Sequence, residues 1–259
     1  MEKLRLGGMA LQNGVLVHGP TSLAAAVRDS GGHIRVASGV KRRFAPGVST
    51  PIVRGPLRLA EAFAVLPDVK RGLPEARLPF ERPAVAVAVV TGSVLAAGAR
   101  RAPMSTVARE AVAVMASLAP AMIALRGGEL ASYHGAEHVS IGTYERDGER
   151  AAKEHERCGS HLIGPLLASS LVAGAVAARA PRRARGIARL ASAVGAVGVS
   201  VEIFAWMERN PGRRLSRALA RPGYELQRRV ATEDPSAEQL EVAEHALAAC
   251  LAAEAAAVT

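Results

Sequence analysis

Two imidazoles and a carboxylate fall within five residues of one another near the middle of the chain, in Tyr133-His134-Gly135-Ala136-Glu137-His138. On a helix, His134 and His138 stand at i and i+4 on one face, with Glu137 at i+3 from His134. H-x-x-E-H is the inverted zincin pattern, in which two neutral imidazoles hold zinc and the carboxylate takes a proton from a water that the cation activates. The pattern is short and calls for a further ligand and a dry setting.

A second cluster follows at His155-Glu156-Arg157-Cys158-Gly159, where His155 and Cys158 have a spacing common among zinc ligands. His134, His138, His155 and Cys158 would together fill a tetrahedral sphere around zinc or another divalent transition metal, a closed and structural site. With Cys158 outside the sphere, the site is open and Glu137 becomes the catalytic base. Without a metal, the histidines would hydrogen-bond at a helix end. His18, His33 and His245 read as surface or turn residues and Cys250 as packing. Glu61 reads as part of a solvated helix face, with a further metal ligand as the less favoured role.

The elements that would position these groups change character along the chain. Residues 1–82 form an N-terminal αβ portion: short strands around Val15-Leu16-Val17, Leu23 to Arg28 and Ile34-Arg35-Val36, then an amphipathic helix from Arg54 to Leu66. Pro67, Pro74, Pro79 and Pro83 punctuate the boundary. Residues 83–208 contain four nearly charge-free runs, Ala84 to Ala99, Ala111 to Leu125, Leu162 to Ala178 and Leu190 to Val201, around a polar segment at 126–161. Residues 209–259 form a basic connector and an amphipathic helix, with Asp234-Pro235 as its expected N-cap and first residue.

Each run is shorter or weaker than the roughly 20 apolar residues of a full membrane span. Together, with arginines gathered at their flanks and small residues such as Gly92, Ser169, Gly174 and Gly198 within them, they favour insertion over an alanine-rich soluble bundle. The expected fold is therefore α+β, a mainly helical membrane-associated protein with about four apolar helices and a small N-terminal β-rich portion.

Composition narrows the partners. The hydrophobic share is 49% and the aromatic share 3%, so the apolar mass is mostly Ala, Val and Leu. A net charge of +10 is scattered without a nucleic-acid motif or stacking platform, so membrane lipid is the expected partner and nucleic acid is not. Two distant cysteines give no disulfide framework and fit a reducing compartment. No cleavable leader is expected after Met1, and the cell (inner/cytoplasmic) membrane is the expected location.

Several stretches together resemble an uncharacterised bacterial family, the one containing YqhQ, described as predicted metal-dependent and membrane-associated. They are Gly7-Gly8 to Gly19-Pro20, Arg54-Gly55 with Leu59 to Glu61, the His134 to His138 cluster with Tyr144-Glu145, Arg157-Cys158-Gly159-Ser160, and Pro222-Gly223 to Gln227 with Asp234-Pro235 and Gln239 to Ala243. The resemblance implies that the histidine cluster and the Arg-Cys-Gly segment form the site, and it supplies no substrate. The family pattern has Gln and Glu where this chain has Met9 and Asn13. Two functions follow as expectations: a metal-dependent hydrolase at a membrane, or a noncatalytic membrane scaffold or assembly factor with a structural zinc.

Overall fold

The computed structural model describes residues 3–44, 46–126 and 128–257. Four strands, β1 (Gly7–Leu11), β2 (Gly14–His18), β3 (Ser22–Arg28) and β4 (Ile34–Val40), form an antiparallel meander in chain order. Gln12 and Asn13 make the first hairpin turn, since Leu11 pairs with Gly14. β2 and β3 are buried along almost their whole length, so they read as continuous apolar runs rather than an alternation.

Both faces of the sheet are covered. One packs Leu6, Ala10, Val15, Val17, Ala24 and Ala26 against α5 (Glu129–Glu145) and α9 (Ala237–Ala256). The other packs Leu11, Leu16, Leu23, Ala25 and Val27 against Val65 and the α2 helix (Leu66–Gly72) with its trailing loop. The strand period of two decides which side each residue of β1 serves: Gly8 joins the α5 side with Leu6 and Ala10, while Met9 packs on the opposite side. Asn13 is a pin between segments. Its side chain donates to the Arg28 and Glu75 carbonyls and accepts from the Arg77 N–H.

The α1 helix (Arg54–Ala64) forms where the apolar periodicity predicts it, with one difference. Glu61 is buried at 2% exposure and accepts the Phe44 N–H at 2.9 Å, with Arg58 at 3.6 Å. The solvated face expected for it is thus corrected: the loop after β4 lies over that side of the helix, and the carboxylate satisfies its backbone. The final helix also starts later than Asp234-Pro235 suggests. Ser236 is the N-cap, in a capping box with Gln239, because its hydroxyl reaches the Gln239 N–H while Gln239 returns a bond to the Ser236 N–H.

The apolar runs become α3 (Pro83–Ala99), α4 (Thr106–Leu125), α6 (Ile163–Ala178) and α7 (Arg185–Arg209). Three helical stretches, Thr106–Leu125, Gly159–Ala178 and Arg185–Arg209, are long and apolar enough to cross a membrane, and α3 is a shorter apolar helix. Large aliphatics stand exposed along them, among them Val87, Val94, Met115, Val172, Ile187 and Leu190. Surface of this kind suits lipid and points to membrane association.

Small residues set the helix approaches. α3 packs on α4 and α6 on α7. A Cβ at Gly92 would overlap the Ala116 carbonyl, which faces α3 and has lost its helical donor to Pro120. Between α6 and α7, the Ser169 and Ser200 hydroxyls lie 2.7 Å apart, and both donate to carbonyls within the pair. Glu202 of α7 accepts from the Ile52 N–H and pairs with Arg54, tying the start of α1 to the helical bundle.

Candidate metal centre

The centre is built on α5, whose stretch from Tyr133 to Ile141, buried apart from the half-buried His134, packs against the sheet and the neighbouring α9. Its glycines fix how closely the neighbouring chain lies. A Cβ at Gly135 would overlap the Glu233 carbonyl, and one at Gly142 would meet Ala151 at 2.6 Å and His155 at 3.6 Å. The segments 231–235 and 151–155 can therefore lie directly on the helix, close to the histidines.

Those segments orient the imidazoles. His134 places Nδ1 2.9 Å from the Ala231 carbonyl, and His138 places Nδ1 2.5 Å from the Lys153 carbonyl. A carbonyl only accepts, so each Nδ1 carries a proton, and in the neutral ring Nε2 is the atom that keeps a lone pair. This is the arrangement by which a backbone carbonyl prepares an imidazole for a metal. Burial and the neighbouring His134 hold the His138 pKa well below its ordinary value, so that ring is neutral at neutral pH.

Cys158 completes the group. Its Sγ lies 3.6 Å from His134 Nε2, and one donor atom from each of His134, His138 and Cys158 falls within 4.8 Å of the other two. Burial pushes the thiol pKa up, and the Ser160 N–H at 3.5 Å opposes that. Glu137 Oε2 stands 3.5 Å from His138 Nε2 and 3.9 Å from His134 Nε2. Its side chain lies against β1, where a Cβ at Gly8 would overlap the carboxylate. Buried there, its pKa rises to about 8, with His134 opposing the shift, so without a nearby cation the group is a neutral acid at pH 7.

His155 stands apart from that donor set. Its Nε2 is 3.1 Å from Glu145 Oε2, and its Nδ1 accepts the Arg157 N–H at 3.3 Å. Its ring still lies 5.5 Å from that of His138. Arg157 also pairs with Glu145, so this carboxylate anchors both ends of the loop before Cys158. The four ligands considered from spacing thus separate into a convergent three and one neighbour held by a carboxylate. Glu61 is elsewhere, bonded to Phe44, and Met9 faces the far side of the sheet.

The residue that sequence spacing does not single out is Gln227. It is fully buried, accepts the His155 N–H at 2.8 Å, and its amide nitrogen reaches the His155 carbonyl, Ser160 Oγ and His161 Nε2. It opens a π turn, Gln227–Ala231, that follows α8 (Arg214–Leu226). That turn presents the Ala231 carbonyl to His134. π turns occur often at functional sites, and an uncharged side chain gave little reason to look here.

Residues 128–253 match the model of a family described as a protein of unknown function (DUF1385). The match runs from the residue before α5 into the last turns of α9, contains every member of the centre, and bears out the resemblance to an uncharacterised family. No curated protein and no solved structure matches the chain.

Proposed function

We propose that this is a membrane-associated protein whose His134, His138 and Cys158 hold a zinc-like divalent metal, with Glu137 poised beside it for hydrolysis. The observation that supports this most directly is the pair of Nδ1 to carbonyl bonds, which leaves the two Nε2 atoms as the possible metal donors beside a thiol. Neutral imidazole and thiolate suit zinc-type ions, and three protein ligands are the number found in catalytic rather than closed sites. A bound cation there supplies Lewis acidity to a substrate oxygen.

The chain's own residues do the rest. The carbonyls of Ala231 and Lys153 hold both rings in one tautomer, and the sheet face with Gly8 excludes water around Glu137. A cation near Glu137 favours its ionised form, so Oε2 becomes a proton acceptor within reach of the histidine pair. The helices of the bundle locate this chemistry at a membrane, for which the cell membrane is our choice.

A second reading has a specific observation behind it. The donors join α5 to the segment before α6, while Ala231 ties in the turn before α9, as a structural zinc staple in a noncatalytic scaffold would. Metal analysis of detergent-purified protein tests both. About one equivalent in the wild type, lost in His134→Ala and Cys158→Ala, is expected; wild type without stoichiometric metal overturns both readings. Retention of the folded state on chelation selects the enzyme, and unfolding selects the staple.

A further inference from the structure

A second feature lies beyond the metal donors. A cavity of about 540 Å³ opens between the last turns of α7, the loop before Cys158 and the start of α8. None of His134, Glu137, His138 and Cys158 lines it.

Its walls differ in chemistry. α8 contributes Ser216 and Arg217 near its start and Arg221 one turn further on. Ser216 is buried at 3% exposure, and its Oγ has no hydrogen-bond partner among the described residues, although it lines a cavity large enough for a ligand. An unpaired buried hydroxyl is costly to leave unmet. The N-terminus of α8 carries no side-chain cap, and Ser216 is the third residue of that helix, so the positive end of the helix dipole lies close to the hydroxyl. Arg217 donates one nitrogen to the Gly212 carbonyl, which fixes it to the helix start. An unpaired buried hydroxyl and two arginines on one helix wall together suit a phosphate.

The other walls restrict the ligand further. Phe204 and Met207 of α7, with Tyr224 of α8, give an apolar lining that continues along a helix long and apolar enough to cross a membrane. Trp206 sits in the same last turns of α7, as aromatic side chains do at membrane interfaces. Three carboxylates also line the cavity, Glu154 and Glu156 from the loop and Glu208 from α7, together with Arg5 and with Arg157, which is already paired with Glu145. A plain anion gains nothing from the carboxylates, whereas an amine does.

We infer that this cavity binds a phosphate group bearing an amine and an apolar tail, the chemistry of an aminophospholipid headgroup, with the phosphate on the α8 wall and the amine towards the glutamates. None of the candidate metal donors lines the site, so the test is read on protein of unchanged metal content.

Binding of dioleoyl phosphatidylethanolamine to the full-length protein, followed by native mass spectrometry from detergent, tests this. The wild type retains the lipid. Ser216→Ala, which removes a hydroxyl with no protein partner, keeps the thermal midpoint and weakens retention several-fold. The double variant Arg217→Gln/Arg221→Gln weakens it about tenfold or more, as expected for lost charge-assisted bonds. Unchanged retention in both folded variants overturns the inference. Dioleoyl phosphatidylglycerol retained equally well overturns the role of the glutamates. O-phosphoethanolamine or inorganic phosphate bound as tightly as the lipid overturns the apolar part and makes the ligand a soluble phosphate.

Discussion

Gly8 and Glu137 share one space: the strand residue has no side chain where the helix residue has its carboxylate, so β1 forms the back wall of the candidate centre. Gly8→Ala is therefore expected to displace Glu137 and to cost about 1–3 kcal/mol, as overpacking does in a filled core. The variant should keep His134, His138 and Cys158 in place, so metal content stays near wild type while any hydrolytic rate falls. A thermal midpoint equal to wild type contradicts the wall.

Gln227 is the test of how the cysteine is positioned. Gln227→Leu keeps comparable bulk but leaves the His155 N–H and Ser160 without their partner. We expect a loss of about 2–3 kcal/mol in stability, the scale of unmet buried donors, with a weaker metal affinity in competition with a chelator. Unaltered affinity removes Gln227 from the support of the centre.

Glu61→Gln separates structure from site. The carboxylate accepts the Phe44 N–H and lies 3.6 Å from Arg58, remote from the histidines. Stability should fall by about 1 kcal/mol or more, because the charge-assisted bond becomes a neutral one, and metal stoichiometry should not change. Loss of metal in this variant would give Glu61 a ligand's role after all.

His18 sets an acid limit on the fold. Its burial, with Lys41 Nζ 3.0 Å from Nδ1, lowers the ring's pKa from 6.5 to about 4. The unfolded chain takes up a proton near pH 6.5 and the folded chain near pH 4. This contribution to stability is complete above pH 6.5 and is lost as pH falls through 4. The loss amounts to about 3 kcal/mol, at 1.36 kcal/mol per unit. His18→Gln should flatten the thermal midpoint between pH 7 and 4; an unchanged slope assigns the acid sensitivity to other groups.

Much of the architecture was legible because it rests on patterns. The strands announced themselves by β-rich runs between turn residues, and the apolar helices by the absence of charge over twelve or more residues, as in Ala84 to Ala99. His134, Glu137, His138 and Cys158 were legible by type and spacing alone. What spacing does not contain is the direction of a side chain. His155 has the correct interval from Cys158, yet Glu145 and Arg157 turn it into a hydrogen-bond network. Glu61 has the sequence neighbours of a surface residue, yet a loop covers it. Gln227 offers no charge to notice, and its place depends on three segments meeting.

The π turn at Gln227–Ala231 makes the chain's length at this point a matter of phase. Thr232 donates to the Gln227 carbonyl five residues back, one residue more than an α-helix holds in the same turn. Deleting a single residue there would let α8 run on as a regular helix and rotate everything after it by about 100°. Ala231 would then turn its carbonyl away from His134, although no member of the centre had been altered. The ring orientation at the centre thus depends on counting residues nearly a hundred positions downstream of the histidine, and a one-residue insertion or deletion should act there like a substitution of His134 itself.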